Sequence, residues 1–143
     1  MKLPQNSIIV SGPVIIEKVN GRLCTLLNKK LPTKKIPRPK WQFCGGEVED
    51  FDGSLEQTAQ REAKEEMGID LDIDRLIDVR PVKRGDGSIV ILVHYLAKRI
   101  GEIAPNNEIK EWRWFPLDQL PQDSAPNIKP VIAKSKKILN IQP

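Results

Sequence analysis

Three observations predict an α+β domain. A capped helix occupies residues 55–67, apolar strand-like runs flank it in pairs about short turns, and a second helical pattern closes the chain at residues 128–139. At 143 residues the chain reads as one domain, residues 1–143, long enough to bury a core without staples. With 39% hydrophobic and 29% charged residues, the composition is that of a globular chain without a membrane span.

Residues 7–16 form an apolar strand pattern interrupted by Gly12-Pro13, and Asn20-Gly21 is a hairpin signal leading into residues 22–27. The stretch KKLPTKKIPRPK, residues 29–40, has six bases, three prolines and no acid. Proline removes amide donors and pushes its predecessor toward extended backbone, so this is a loop. It is either a solvated connection or a cationic reach over a polyphosphate. Trp41-Gln42-Phe43-Cys44 alternates as a short strand does and runs into Gly45-Gly46, which permits close backbone approach.

Ser54 and Gln57 make a capping box ahead of the first helix, in which each side chain satisfies a free amide of the other's segment. Leu55, Ala59, Ala63 and Met67 supply its buried stripe, and Gly68 ends it with Ile69 packing back. Residues 76–83 and 89–99 read as two strands around the turn RGDGS. His94, the one histidine, sits on the second and reads as a packed structural residue. Residues 110–115 are a further short strand carrying Trp112 and Trp114, and residues 116–120 suggest a helical turn. The closing helix carries Lys129, Lys134, Lys136 and Lys137.

REAKEEMG, residues 61–68, places Glu62, Glu65 and Glu66 at i, i+3 and i+4, on one helix face. Like charges so spaced destabilise a helix by roughly 0.2–0.5 kcal/mol per pair. Lys64 points away from that face. The cluster is either a solvated acidic surface or a site whose counter-charge is a metal ion. Residues 46–78 hold 12 acids and 3 bases, a net of −9, which leaves +13 on the remainder of the chain. Such a division can set a cation site beside an anion site, as a metal-bound phosphate requires. Cys24 and Cys44 are too few and too unpatterned for a disulfide framework or a zinc site. With MKLPQNSIIV lacking a signal-peptide pattern, a cytoplasmic location is expected.

GGEVEDFDGSLEQTAQREAKEEMGI, residues 45–69, resembles the Nudix box: G, five residues, E, seven residues, then R-E-U-x-E-E-x-G-U, with U a bulky aliphatic. Arg61, Glu62, Glu65, Glu66, Gly68 and Ile69 fill the second half, with Ala63 as a small first U. The first half departs from the pattern. Gly53 stands where the count back from Arg61 expects glutamate, and the count forward from Gly46 reaches Asp52. One extra residue therefore sits in the loop, and the family's acid is either lost or replaced by Asp52. Cys44 stands where many members have proline.

The resemblance covers most of the chain and implies an αβα sandwich on a mixed sheet. It also implies hydrolysis of nucleoside diphosphates linked to a further group, with Mg²⁺ or Mn²⁺ as cofactor. Within the family the chain looks most like the MutT type, the 8-oxo-dGTP diphosphatases. Its tail, APNIKPVIAKSKKIL at residues 125–139, is close to that type's ending, in which an asparagine reads the purine edge; here that is Asn127. The type's glutamate six residues before a tryptophan corresponds to Glu108, counted from Trp114.

By this resemblance Glu62 and Glu66 are metal ligands, Glu65 a ligand or its support, and Gly46 brings backbone to the ion. A box glutamate or Glu108 takes the proton from the attacking water, and Arg61 orients the carboxylates. Gly45 approaches the substrate, basic-loop side chains such as Lys29, Lys30 and Arg38 meet its phosphates, and Phe43 or Trp41 lines the base pocket. The expected partner is a small nucleotide, with no membrane role and without the aromatic platform of an RNA binder. The rivals are a Nudix hydrolase of ADP-ribose, of dinucleoside polyphosphates or of capped RNA, and a non-catalytic nucleotide sensor.

Overall fold

The computed structural model describes residues 2–141. The strands are β1 (Ile8–Val19), β2 (Arg22–Lys30), β3 (Gly46–Glu47), β4 (Asp70–Lys83), β5 (Ile89–Ile100) and β6 (Ile109–Pro116). The helices are α1 (Leu55–Met67), before β4, and α2 (Ile128–Ile138), at the end. The strands line up as β4-β5-β1-β2-β6, with β3 paired to β1. The β1–β5 pairing is parallel and the other pairings are antiparallel, so the sheet is mixed, as the resemblance implied.

Side-chain alternation divides the core in two. Ile15, Leu26, Val93, Tyr95 and Ala97 point to one face and pack with Ala59, Ala63 and Met67 of α1. Val14, Leu27 and Leu96, their neighbours in sequence, point to the other and meet Ile128, Val131 and Ile132 of α2. One helix on each face of the sheet makes the αβα sandwich.

Three sequence expectations change in detail. β1 runs unbroken through Gly12-Pro13, because Gly12 is where the Cys44 segment crosses it: a Cβ there would lie 2.0 Å from the Cys44 carbonyl oxygen. That crossing spoils the strand expected at residues 41–44, which makes only isolated bridges, Gln42 with Asn28 and Trp41 with Ser124; pairing with β1 begins at Gly46. β4 starts six residues before residue 76, because Leu71 is buried between the exposed Asp70 and Asp72. That period-2 alternation is a strand signal hidden in an acidic stretch.

Helix α1 begins and ends as expected. Ser54 Oγ accepts from the Gln57 amide at 3.1 Å, and Gly68 closes the helix at φ 70° with its N–H on Ala63 and Lys64 carbonyls. The reciprocal arm of the box has slid by one residue: Gln57 Oε1 accepts from the Gly53 amide at 2.7 Å. Residues 117–119 form a turn, with the Gln119 amide on the Pro116 carbonyl.

Candidate active site

Arg61 organises the box. Its Nε and Nη2 donate to the two oxygens of Asp52 at 3.0 and 2.9 Å, a bidentate fork. Nη1 donates to Glu62 Oε1 at 2.9 Å and reaches Glu65 Oε2 at 3.3 Å, and Nη2 also donates to the Glu47 carbonyl. Thr58 Oγ1 and the Glu49 amide complete the shell of Asp52. The guanidinium holds the Asp52 carboxyl well below the usual carboxylate range. The alternative left open by the sequence therefore closes: Asp52, one residue away from the patterned position, is the loop acid that locks Arg61. Much of the repulsion within the glutamate face is met by Arg61 itself. Lys64 lies near Asp70 instead, at 3.6 Å.

Glu66 is the buried member, 4% exposed. Its Oε1 accepts from the Gly45 amide at 3.0 Å and from Cys44 Sγ at 3.5 Å. Its Oε2 has no hydrogen-bond partner, although Lys30 Nζ stands 3.2 Å away at an angle unsuited to one. Burial, followed by the nearby Glu66 charge, raises the Glu62 pKa. The same burial, with Glu66 beside it, pushes the Cys44 thiol up. A buried carboxylate oxygen without a donor is costly unless a cation satisfies it.

Gly46 abuts this cluster. A Cβ on it would lie 2.2 Å from Glu62 Cδ, so only glycine lets the backbone run alongside that carboxylate. The Glu66 oxygen that lacks a hydrogen-bond donor and faces only the Lys30 ammonium, the Gly46 cradle and the carboxylate oxygens of Glu62 and Glu66 fit a hard divalent ion. Among the described residues, the side chains are not gathered into a ready-made set of three His, Cys, Asp or Glu ligands. Gly46→Ala is expected to cost little stability, because the end of the Glu62 side chain can swing aside. Turnover is expected to fall about 10²-fold as that carboxylate is misplaced. Melting temperature and kcat measured side by side check this.

Beside the glycine pair opens a cleft of about 560 Å³ lined by Gly45, Gly46, Lys30, Phe43, His94 and Asn127, among others. Asn127 occupies the N-cap position of α2 yet makes no side-chain cap; its Nδ2 lies 2.9 Å from His94 Nε2. The His94 ring packs edge-on to Phe43, with centroids 5.6 Å apart.

Gly45, Phe43 and Asn127 thus line one cleft, and Glu62, Glu66 and Gly46 meet at its glycine wall. Lys29 does not join them. It pairs with Asp123 at 3.2 Å and lies over the Trp41 ring, while its neighbour Lys30 turns into the cleft, as alternation along β2 requires. Arg38 is exposed on the basic loop and Trp41 is buried in the α2-side core, and neither lines the cleft. Glu108 sits on a loop tacked to the end of α1, where the side-chain and backbone N–H groups of Asn106 donate to the Glu65 and Glu66 carbonyls and its Oδ1 accepts from the Glu108 amide. The Glu108 carboxylate is exposed and lies outside the cleft lining. Sequence reasoning missed the cleft role of His94. The available signal was parity, since His94 and Leu96 share the face of β5 that looks toward α2.

The family model of the NUDIX domain matches residues 10–135. The chain belongs to the Nudix family. As a Nudix-type pyrophosphohydrolase it acts on substrates built around a nucleoside diphosphate. Among solved structures, it is similar to a MutT NUDIX hydrolase from Burkholderia pseudomallei, at 25% identity and TM-score 0.76, covering 91% of this chain and 98% of that one. It is similar in fold to the C. elegans Ap4A hydrolase binary complex, at 21% identity and TM-score 0.77, covering 93% and 98%. The NUDIX domain of Shewanella oneidensis NrtR, complexed with ADP ribose, is likewise similar, at 19% identity and TM-score 0.70, covering 95% and 90%. No curated protein sequence matches the chain. Among the described residues, no helix of this Nudix protein is long and apolar enough to cross a membrane.

Proposed function

We propose that this protein hydrolyses purine nucleoside triphosphates, an oxidised purine such as 8-oxo-dGTP foremost, to the nucleoside monophosphate and pyrophosphate. One observation carries the reading: the carboxylate cluster and glycine wall meet a cleft whose lining includes the Asn127 amide. A phosphate-cleaving end and a base-reading end share one groove.

Glu62 and Glu66 would hold the divalent ion, Mg²⁺ or Mn²⁺, beside the Gly46 backbone. When bound, such ions neutralise phosphate charge and lower the pKa of coordinated water. Arg61 keeps Glu62 and Glu65 in place, so little ordering remains for substrate binding to supply. Lys30 reaches the cleft from β2 and meets the polyphosphate there. Glu65, the exposed carboxylate of the cluster, and Glu108 on its adjoining loop are the candidates to take the proton of the attacking water; single glutamine variants of each tell them apart. Phe43 and Asn127 receive the base, by apolar contact and by hydrogen bonds respectively.

The test is a substrate panel with Mg²⁺, containing 8-oxo-dGTP, the ordinary (d)NTPs, ADP-ribose and a dinucleoside polyphosphate, with pyrophosphate and monophosphate release measured. Fold similarity does not choose among these. The reading requires 8-oxo-dGTP to lead on kcat/KM, and a lead by ADP-ribose or a dinucleoside polyphosphate replaces it. Asn127→Ala is expected to cut purine selection about 10–100-fold through lost base contacts while Mg²⁺ still raises the melting temperature. Loss of that metal effect in the variant would refute the role assigned to Asn127.

A further inference from the structure

We infer that His94 is a specificity-positioning residue: its Nε2 accepts a hydrogen bond from Asn127 Nδ2 and so fixes which way round the Asn127 amide faces the base. The inference rests on the proposed base-reading role of Asn127 and extends it to a residue that need not touch substrate.

Three features of the pair support it. Asparagine at an N-cap ordinarily turns its side-chain oxygen onto the first amides of the helix. Asn127 does not, and its amide nitrogen lies on His94 at 2.9 Å. His94 is held to this partner by the sheet and by Phe43: it is 4% exposed, opposite Asp78 in the β4–β5 register, with the Phe43 ring against it. Asp78 is in turn tied to α2 by Lys134 at 2.9 Å, which keeps the helix carrying Asn127 in register with the strand carrying His94.

A neutral imidazole has one donor nitrogen and one acceptor. Burial keeps this ring neutral, holding its pKa down at about 4. The side-chain nitrogen of Asn127 can only donate, so its contact leaves the ring proton on Nδ1, which is buried without a hydrogen-bond partner. Nε2 is then the acceptor. Asn127 is left with its Oδ1 and one N–H for the base.

That remainder is one acceptor and one donor, and it discriminates. The guanine edge offers two acceptors, N7 and O6. Oxidation at C8 moves a proton onto N7, so the edge becomes one donor and one acceptor and matches Asn127 as His94 sets it. With the amide reversed, Asn127 would offer two N–H donors and favour the undamaged base.

The first experiment observes the wild-type protein. With a single histidine in the chain, the ¹⁵N shifts of its ring need no assignment. Nδ1 protonated and Nε2 bare near neutral pH is the expected result, and a proton on Nε2 overturns the proposal. The second compares kcat and KM for 8-oxo-dGTP and dGTP in wild type, His94→Phe, His94→Gln and Asn127→Ala. His94→Phe keeps a packed ring and removes the acceptor, and its 8-oxo-dGTP preference is expected to fall about tenfold through KM, as loss of one hydrogen bond implies. His94→Gln, which can return an acceptor near the Nε2 position, restores part of the preference. An unchanged preference in either folded His94→Phe or Asn127→Ala overturns the positioning role. The two are distinguishable: if Asn127→Ala is also unchanged, the base-reading assignment fails as well, and if only His94→Phe is unchanged, that assignment stands alone.

Discussion

Glu66→Gln is expected to lower turnover about 10²–10³-fold, the effect of removing one preorganised charge from a water-poor site, while leaving the fold intact. Gln keeps the shape and can still accept from the Gly45 amide through its oxygen. It removes a buried negative charge whose second oxygen has no hydrogen-bond donor. Without metal, the variant should therefore melt at or above the wild-type temperature, since charge burial is costly and the partly exposed Lys30 loses little. With Mg²⁺ the order reverses. At a hundredfold excess over Kd, binding stabilises the wild type by about 2.7 kcal/mol, and the variant gains much less. Calorimetry with and without Mg²⁺, beside kcat, gives the answer. A variant that remains active, or is stabilised by Mg²⁺ as strongly as wild type, removes Glu66 from the metal site.

Acid should destabilise the protein through His94. The ring titrates at 6.5 when unfolded and at about 4 in the fold, chiefly because burial disfavours the imidazolium. Between those values the unfolded chain binds a proton that the folded one refuses, so stability falls as pH drops from about 6.5 toward 4. The full difference is roughly 3 kcal/mol, a large part of the 5–15 kcal/mol typical of a domain. Denaturant melts of wild type and His94→Phe across this pH range should diverge, the variant losing that segment of the slope. Parallel curves would show that the native ring accepts its proton near the ordinary value.

Two of these effects rest on residues that were not equally visible in the sequence. Glu62, Glu65 and Glu66 could be set on one face by counting, because helical spacing is local and Ser54 and Gly68 mark both ends. Asp52 could not be recognised as the partner of Arg61 from the same stretch. The extra loop residue moves it off the count, and only the folded loop brings it back to 2.9 Å from the guanidinium. Lys29 and Lys30 were indistinguishable as members of a basic run, and strand parity sends one to Asp123 and the other into the cleft. His94 read as core filler, which its burial bears out, while its contact with Asn127 spans 33 residues and depends on α2 packing over β5.

The sequence by itself determined the family, the sandwich of strands and helices, and the carboxylate chemistry, because each rests on spacings within a few turns of helix or a strand's alternation. Tertiary structure alone decided which loop acid locks Arg61, which lysine of the pair reaches the cleft and which histidine nitrogen meets the asparagine. Asp52 and Arg61 are nine residues apart and meet only because the loop folds back, whereas the lysine and histidine contacts join segments far apart in the chain. Their partners are chosen by how sheet and helices pack, a geometry that no local pattern encodes.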